Sequence, residues 1–329
     1  MSDLNTNEPR NQSEPTRWER NLLHEMLMAT VDEKRRSRRW GIFFKFLTFG
    51  YLFLILGLLV WSDDMKMSQT VAKEHTALVQ VEGLISSETK ASADKVITGL
   101  RNAFEDEKTK GVILRMNTPG GSPVQSRYIN REIVRLKEAY PDIPVYAVAV
   151  DICASGGYYI AAAADKIYAD EGSVVGSIGV LINGFGFVEG MENLGIERRL
   201  MTAGENKGIL DPFTPLNKDH EAYIQGMLGE LHQQFIDTVK EGRGDRLKDE
   251  ENPQIFSGLF WSGEEAKRLG LVDEFGSSSY VAREVIKAEE IVDFTVEEEF
   301  WDRFAKRLGA GAASMLGQIS GLSNGWQIQ

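Results

Sequence analysis

The residues best suited to chemistry lie in one short segment, Asp151–Tyr159, which reads DICASGGYY. Ser155 follows an apolar stretch typical of a strand and precedes a run of small residues typical of a helix. A serine at such a helix start lies beside free backbone N–H groups, which stabilise a developing negative charge. Gly156 and Gly157 let the backbone approach a substrate closely, so the segment suits a nucleophile with an oxyanion hole. A serine that only caps the helix, with glycines that only form a turn, would leave the same pattern.

A nucleophilic serine needs a base, and the sequence offers a lysine more readily than a histidine. No GxSxG motif is present, and none of the histidines stands in a recognisable triad context. A lysine can act as a base when burial disfavours its ammonium form. Lys207, in AGENKGILDPF, is the candidate because glycines flank it and an apolar pair follows. Most lysines in such loops are solvated, and spacing alone does not single out Lys207.

A second glycine turn, PGGS at 119–122, closes one predicted strand and precedes a predicted helix. This turn can present a further N–H group to an oxyanion, or it can be a tight strand-to-helix connection. The spacing GxxxxGK[ST] is missing, which excludes a phosphate-binding loop.

The elements that must position these residues alternate between short apolar strands and amphipathic helices. Such alternation predicts βαβ units and a buried, largely parallel sheet in an α/β fold. Ser262 with Glu265 three residues later forms a capping-box pattern at a helix start. The predicted strands are 76–83, 111–116, 145–150, 166–170, 177–182 and 196–202, and the predicted helices are 93–106, 123–140, 155–165, 219–243 and 262–270.

Five blocks of this sequence, in the same order and with compatible spacing, resemble the bacterial signal peptide peptidase SppA family. The resemblance covers roughly residues 76–290 and implies a membrane-anchored serine protease with a Ser/Lys dyad. It also implies a ClpP/crotonase-like α/β fold and no metal or organic cofactor. The blocks are MNTPGGSP (116–123), DICASGGYYIAAAADKIYAD (151–170), GSVVGSIGV (172–180), TAGENKGILDPF (202–213) and FSGLFWSGEEAKRLGLVDEFG (256–276).

The resemblance also implies a role for each matched residue. Ser155 aligns with the nucleophile, Lys207 with the general base, and Ser177 with a hydroxyl that orients the lysine amine. The N–H groups of Gly121 and Gly156 align with the oxyanion hole. The chain has one copy of the core and so resembles the short form of the family, in which a ring-shaped homo-oligomer shares the catalytic cleft between subunits.

The sequence departs from the family pattern at two places. Asp151-Ile152-Cys153 stands where small residues and methionine are commoner, and Thr118 replaces a usual serine. Neither departure removes a proposed catalytic group. We expect the lone Cys153 to pack in the core and not to react.

The segment 42–61, IFFKFLTFGYLFLILGLLVW, is predicted to be a single transmembrane helix. About 20 apolar residues at 1.5 Å each span roughly 30 Å, the thickness of a bilayer core. Five basic residues lie in 34–39, and Asp63 and Asp64 follow the segment, which by the positive-inside rule places the N-terminus in the cytoplasm and the catalytic domain in the periplasm. A cleaved signal peptide is the competing interpretation, but the apolar run is too long and no A-x-A site follows it. A buried core helix is the other alternative.

Composition and charge limit the class of protein. The net charge is −12, and since residues 1–61 carry nine basic and seven acidic side chains, residues 62–329 carry −14. A large acidic body disfavours nonspecific nucleic-acid binding. One cysteine and four scattered histidines disfavour a disulfide framework or a zinc site. We expect a cytoplasmic tail (1–40), an anchor in the inner membrane (41–62), a stalk (63–75), a serine protease domain (76–308) and a C-terminal tail (309–329).

The predicted function is hydrolysis of remnant signal peptides and other apolar peptides at the membrane. Three alternatives remain at this stage. The first is a SohB-type protease with the same dyad, and the second is a membrane-anchored scaffold that binds peptides without cleaving them. The third, an acyl-CoA enzyme on the crotonase fold, is weaker because a Ser/Lys pair is not the usual apparatus of that fold.

Overall fold

The structure, a computed structural model, describes residues 17–67 and 73–297 of the 329-residue chain. The chain divides into two compact units, Met1–Thr70 and Val71–Gln329. The predicted C-terminal tail (309–329) and the first 16 residues of the predicted N-terminal tail lie outside the described residues.

The described part of the first unit is one helix, α1, which runs over Arg17–Met67 and is 51 residues long. It therefore begins inside the predicted tail and continues into the predicted stalk. Most of its described apolar side chains are exposed, Phe46 to 75% and Phe53 to 71%. Within residues 17–67 and 73–297, no helix is both long enough and apolar enough to cross a membrane.

The second unit is built on an eight-stranded sheet whose path runs β6-β5-β3-β2-β1-β8, with β4 bonded to β3 and to β7. Every pair of strands is parallel except β5 with β6, so the predicted parallel α/β sheet is confirmed. The strands are β1 (His75–Glu82), β2 (Thr109–Thr118), β3 (Val145–Ala154), β4 (Lys166–Ala169), β5 (Val174–Gly176), β6 (Phe260–Ser262), β7 (Glu274–Phe275) and β8 (Ile291–Asp293).

Helices connect these strands, as the βαβ pattern predicts. The predicted helices 93–106, 123–140 and 219–243 are found to within one residue at each end, and Ser262 caps α7 by accepting from Glu265 N at 3.3 Å. The helices are α2 (Ala93–Glu105), α3 (Pro123–Ala139), α4 (Gly156–Ala161), α5 (Val188–Asn193), α6 (Lys218–Arg243), α7 (Gly263–Arg268) and α8 (Ser278–Tyr280), with 3₁₀ turns at Gly244–Arg246 and Pro253–Phe256 and a π-helical turn at Val281–Ile286.

Two predicted strands and the length of one predicted helix were wrong. The segment 177–182 is no strand, because Ser177 has a φ of +53° that takes the chain out of the sheet after β5. The segment 196–202 is an exposed loop, so its apolar residues do not pair with a strand within the described part of the chain. The helix predicted over 155–165 ends at Ala161, since the next four residues form turns and bends that lead into β4.

The alternation of β1 divides the core between the two faces of the sheet. Ala77, Val79 and Val81 belong to the larger cluster, which lies under α2, α3, α4 and α6. Leu78 points the other way, into a smaller cluster with Val281 of the π-helical turn. Successive strand residues point to opposite faces, which explains this division. The larger face carries α4 and therefore the candidate nucleophile.

Glu132 links α2 to α3 and provides a test of acid stability. Its side chain is 10% exposed and accepts from Arg101 Nε and Arg135 Nη2, each at 2.7 Å. The hydrogen bond from Arg135 is the largest cause that lowers the pKa of Glu132 to about 2, helped by Arg101 and opposed by burial. A carboxylate with a lowered folded-state pKa stabilises the protein above its unfolded pKa, and this stabilisation disappears as pH falls towards 2.

We expect Glu132→Gln to reduce the free energy of unfolding at pH 7 by roughly 1–3 kcal/mol, after allowing for the exposure of both arginines. The difference from wild type should shrink between about pH 4.5 and pH 2, because the carboxylate of the unfolded chain becomes protonated in this range while the native one is protonated only near pH 2. Urea unfolding at several pH values measures this difference in the free energy of unfolding. The matched control is Glu138→Gln, which changes an exposed residue of the same helix. A constant difference at all pH values would contradict the assignment.

Candidate active site

Ser155 lies at a sharp turn between β3 and α4. Its φ of +51° and ψ of −123° are uncommon for a residue with a side chain. The turn is held by two backbone hydrogen bonds, from Ser155 N to Gly176 O at 2.8 Å and from Tyr159 N to Ser155 O at 3.0 Å. The hydroxyl makes no capping hydrogen bond to α4. The interpretation of the Ser155 hydroxyl as a helix cap is therefore wrong.

The glycine turn after β2 lies directly against Ser155. A Cβ atom built on Gly120 would fall 2.7 Å from both Gly156 N and Ser155 Cβ, and one on Gly156 would fall 3.3 Å from Gly121 N. At such distances a side chain on Gly120 could not be accommodated without a shift. The two predicted oxyanion residues, Gly121 and Gly156, therefore lie side by side next to Ser155.

Across the residues that the structure describes, the N–H groups of Gly121 and Gly156 donate to no backbone carbonyl in a turn, loop or cap. Gly156 is the first residue of α4, so its N–H has no acceptor within the helix. The bridge between Gly121 and Ile85 is made by Ile85 N to Gly120 O and by Ser122 N to Ile85 O, and the Gly121 N–H takes no part in it. Two adjacent N–H donors of this kind can stabilise an oxyanion.

Ser177 joins this group from the end of β5, the strand that pairs with β3 just before Ser155. It follows Gly176, whose carbonyl holds Ser155, and its own N–H donates to Leu259 O at 2.8 Å. Its φ of +53° turns the chain out of β5 towards the cavity. The structure therefore brings together four of the five predicted site residues.

These four residues open into one cavity of about 570 Å³. Most of its remaining wall is apolar, which favours an apolar ligand. Other lining residues are Pro123, Val124, Ser126, Arg127, Tyr159, Gly179, Val180, Leu181, Leu231, Gln234, Phe235, Ser257 and Gly258.

Lys207 is not among the residues that line this cavity. It lies in a turn after residue 203, where its backbone N–H donates to Gly204 O at 3.1 Å, and its side chain is exposed. A solvated position is the ordinary one for a lysine in a glycine-containing loop. The single chain does not place Lys207 beside Ser155, and its role as the base stays a prediction.

One wall of the cavity is formed by residues of α6 that the sequence pattern did not single out. Leu231, Gln234 and Phe235 lie on the helix face turned towards the cavity, and Phe235 is buried against Tyr159. The helical spacing of apolar residues in 219–243 predicted the helix. It could not tell which turns face a site and which face the core.

Cys153 lies two residues before Ser155 but is not among the residues that line the cavity. Cys153 is buried, and burial raises the pKa of its thiol to about 12, so a reactive thiolate does not form near neutral pH. This agrees with the prediction that it packs in the core. Among the described residues, no group of histidine, cysteine, aspartate and glutamate is placed to hold a metal ion.

Comparison with known proteins agrees with this geometry. The model of peptidase family S49 matches residues 138–292, a stretch that includes Ser155, Ser177 and Lys207. A putative protease of Methanocaldococcus jannaschii is 35% identical over 219 residues, which cover 65% of this chain and 69% of that protein. A putative signal peptide peptidase SppA of Enterococcus faecium is 33% identical over 202 residues, covering 61% of this chain and 58% of the relative.

A third relative carries the name of an antiporter and not of a protease. A protein of Brucella melitensis named Na(+)/H(+) antiporter NhaA is 47% identical over 177 residues, which cover 54% of this chain. The match covers only 24% of that relative's length. The family match and the protease-named relatives show that the chain belongs to peptidase family S49.

Proposed function

We propose that this protein is a membrane-anchored serine endopeptidase that hydrolyses remnant signal peptides after their release from preproteins. The observation that carries the proposal is the position of Ser155, on a strained turn at an apolar cavity beside Gly121, Gly156 and Ser177. Membership of peptidase family S49 supports the same reaction.

The proposed reaction is acyl transfer through a Ser/Lys dyad. The neutral amine of Lys207 takes the proton of Ser155 Oγ, which attacks the scissile carbonyl carbon and forms a tetrahedral intermediate. The N–H groups of Gly121 and Gly156 stabilise its oxyanion. The resulting ammonium of Lys207, oriented by the hydroxyl of Ser177, donates its proton to the leaving amine as the peptide bond breaks. A water molecule, deprotonated by Lys207, then hydrolyses the ester and regenerates Ser155.

We propose that Lys207 reaches Ser155 from a neighbouring subunit of a ring-shaped homo-oligomer. The exposed position of Lys207 in one chain supports this arrangement. So do apolar side chains exposed along the connection that carries it, among them Leu181 (79%), Phe185 (76%) and Met201 (92%). Exposed apolar surface of this kind marks an interaction site.

The proposed substrates follow from the walls of the cavity. Apolar side chains from α3, α4 and α6 suit the apolar core of a signal peptide. The sequence contains no phosphate-binding loop, so the chain has no evident means to unfold a stable protein. We therefore propose short apolar peptides, and not folded proteins, as its substrates.

We also propose that residues 42–61 anchor the protein in the bacterial inner membrane, with the catalytic domain in the periplasm. This part of the proposal rests on the uncharged run 46–61 and on the basic residues that precede it. Exposure of the described aromatic side chains on α1 supports it. An anchor would hold the cleavage site next to the membrane in which released signal peptides lie.

The function is tested by adding the full chain, in detergent, to a mixture of synthetic signal peptides and identifying the products by mass spectrometry. We expect cleavage within the apolar cores, and at least a 100-fold slower reaction with Lys207→Ala, since a general base contributes about 100- to 10,000-fold. Lys218→Ala, which changes another exposed lysine, should cleave normally. Intact signal peptides after incubation with wild type would overturn the proposed substrate class, while binding without cleavage would favour the scaffold.

A further inference from the structure

The strand that carries the nucleophile contains an irregularity just before it. Met116 of β2 pairs with Ala149 of β3, and Thr118 pairs with Cys153, so β3 holds two more residues than β2 over this interval. The extra length lies in Val150–Ile152. A bulge of this kind bends a strand and redirects the side chains that follow it.

The neighbours of β3 show what the bulge achieves. Residues 146–148 of β3, which precede the bulge, pair with β4. Residues 152–154, which begin at the last residue of the bulge, pair with β5. The strand thus leaves one neighbour and joins another within the length of the bulge. This transfer brings Ser155 N to Gly176 O and places the serine opposite Ser177.

One side chain, Asn117, holds the bulge from the β2 side. Its Nδ2 donates to Asp151 Oδ2 at 3.0 Å, and its Oδ1 accepts from Ile152 N at 3.3 Å. Only an amide both donates to a carboxylate and accepts from an N–H group in this position. The backbone of Asn117 is itself fixed, since its carbonyl accepts from Gly83 N at 3.0 Å.

The opposite side of the bulge is held by Ser173, which is buried and lies just before β5. Its hydroxyl donates to Val150 O, and it also accepts from Asp170 N at 3.0 Å. The bulge is therefore fixed at both edges. Of the two side chains, only Asn117 contacts Asp151 and Ile152, the residues of the extra length that lie nearest to Ser155.

We infer that Asn117 is a positioning residue for the nucleophile, acting with Asp151 through the backbone of the bulge. The inference rests on the proposed function, because it assigns a role in the reaction of Ser155. The turn at Ser155 has an unfavourable backbone conformation, so its surroundings must hold it there. When the bulge relaxes, Ser155 Oγ moves relative to Gly121 and Gly156, and a displacement of about 1 Å is enough to slow a reaction roughly 100-fold.

The test exchanges the two side chains. Asn117→Asp sets two carboxylates against each other, and we expect kcat to fall by about 10- to 100-fold with KM nearly unchanged. The double variant Asn117→Asp with Asp151→Asn restores both hydrogen bonds and the original charge, so kcat should return to within about 3-fold of wild type. Asp151→Asn alone keeps an acceptor for Asn117 Nδ2 and should stay near wild type.

The readouts are kcat and KM for an apolar peptide and the rate at which a fluorophosphonate labels Ser155. Loss of kcat at constant KM with recovery in the double variant supports the inference, whereas a general loss of stability would not be repaired in this way. Should Asn117→Asp fail to fold, Asp151→Ala, at an exposed position, should lower kcat by about 3-fold or more.

Different results would refute the role of Asn117 and the proposed reaction of Ser155. An Asn117→Asp variant with kcat within about 2-fold of wild type, or a double variant no better than the single one, overturns the role of Asn117 alone. A wild-type chain that neither cleaves apolar peptides nor is labelled at Ser155 overturns the proposed reaction, and the role of Asn117 with it.

Discussion

Replacing Ser155 with alanine should lower kcat for an apolar peptide by about 10⁴- to 10⁶-fold. The hydroxyl is the only group at the turn between β3 and α4 that is proposed to form the acyl bond, so its loss removes the covalent pathway. The cavity keeps its walls, since alanine is smaller than serine, and KM for the residual reaction should change little. Steady-state hydrolysis and covalent labelling by a fluorophosphonate measure the effect, and labelling should disappear.

The matched control for this prediction is Ser262→Ala, which removes another serine next to a strand and a helix. Ser262 caps α7 and is not among the residues that line the cavity, so we expect a loss of stability of about 1 kcal/mol and normal labelling. If Ser155→Ala still hydrolysed peptides at the wild-type rate, or if the probe labelled another residue, Ser155 would not be the nucleophile.

Co-expression of Ser155→Ala with Lys207→Ala should restore activity that neither variant has alone. Each variant is expected to be at least about 100-fold slower than wild type. In a ring whose subunits contact head to tail, each site takes its serine from one chain and its lysine from the next. In an equal mixture about one quarter of sites then have both groups, so about a quarter of wild-type activity should return.

Co-expression of Ser155→Ala with Lys218→Ala is the matched control. Every chain there keeps Lys207 and half keep Ser155, so about half of the activity is expected however the dyad is arranged. An activity equal to the sum of the two inactive variants would show that both groups must come from one chain. The loop that carries Lys207 would then have to close over the cavity within a single subunit.

Much of the fold follows from local patterns. The spacing of apolar residues in 93–106 and 123–140 predicted α2 and α3 closely, because an amphipathic helix repeats its buried face. The tight turn at Ser155 was also recognisable, since a serine followed by two glycines between an apolar strand and a helix favours such a turn. The segments 177–182 and 196–202 were wrongly predicted to be strands, because their apolar residues do not pair with the sheet. Leu181, for example, is 79% exposed.

The remaining features depend on contacts between distant parts of the chain. The role of Asn117 depends on the register between β2 and β3, where two extra residues cannot be recognised from either strand alone. The wall formed by α6 depends on which face of that helix meets α4. Lys207 does not line the cavity in one chain, and neither periodicity nor composition relates its loop to Ser155.

The antiparallel pairing of β5 with β6 has a consequence for biosynthesis. The chain emerges from the ribosome from its N-terminus, and domains form as their segments become available. Ser177 N is held by Leu259 O, and Ser257 and Gly258 form part of the cavity wall. A nascent chain that has emerged only to residue 250 contains Ser155 and most of the sheet but not this wall. The cavity beside Ser155 is therefore completed late in translation, after the apolar segment 42–61 has already left the ribosome.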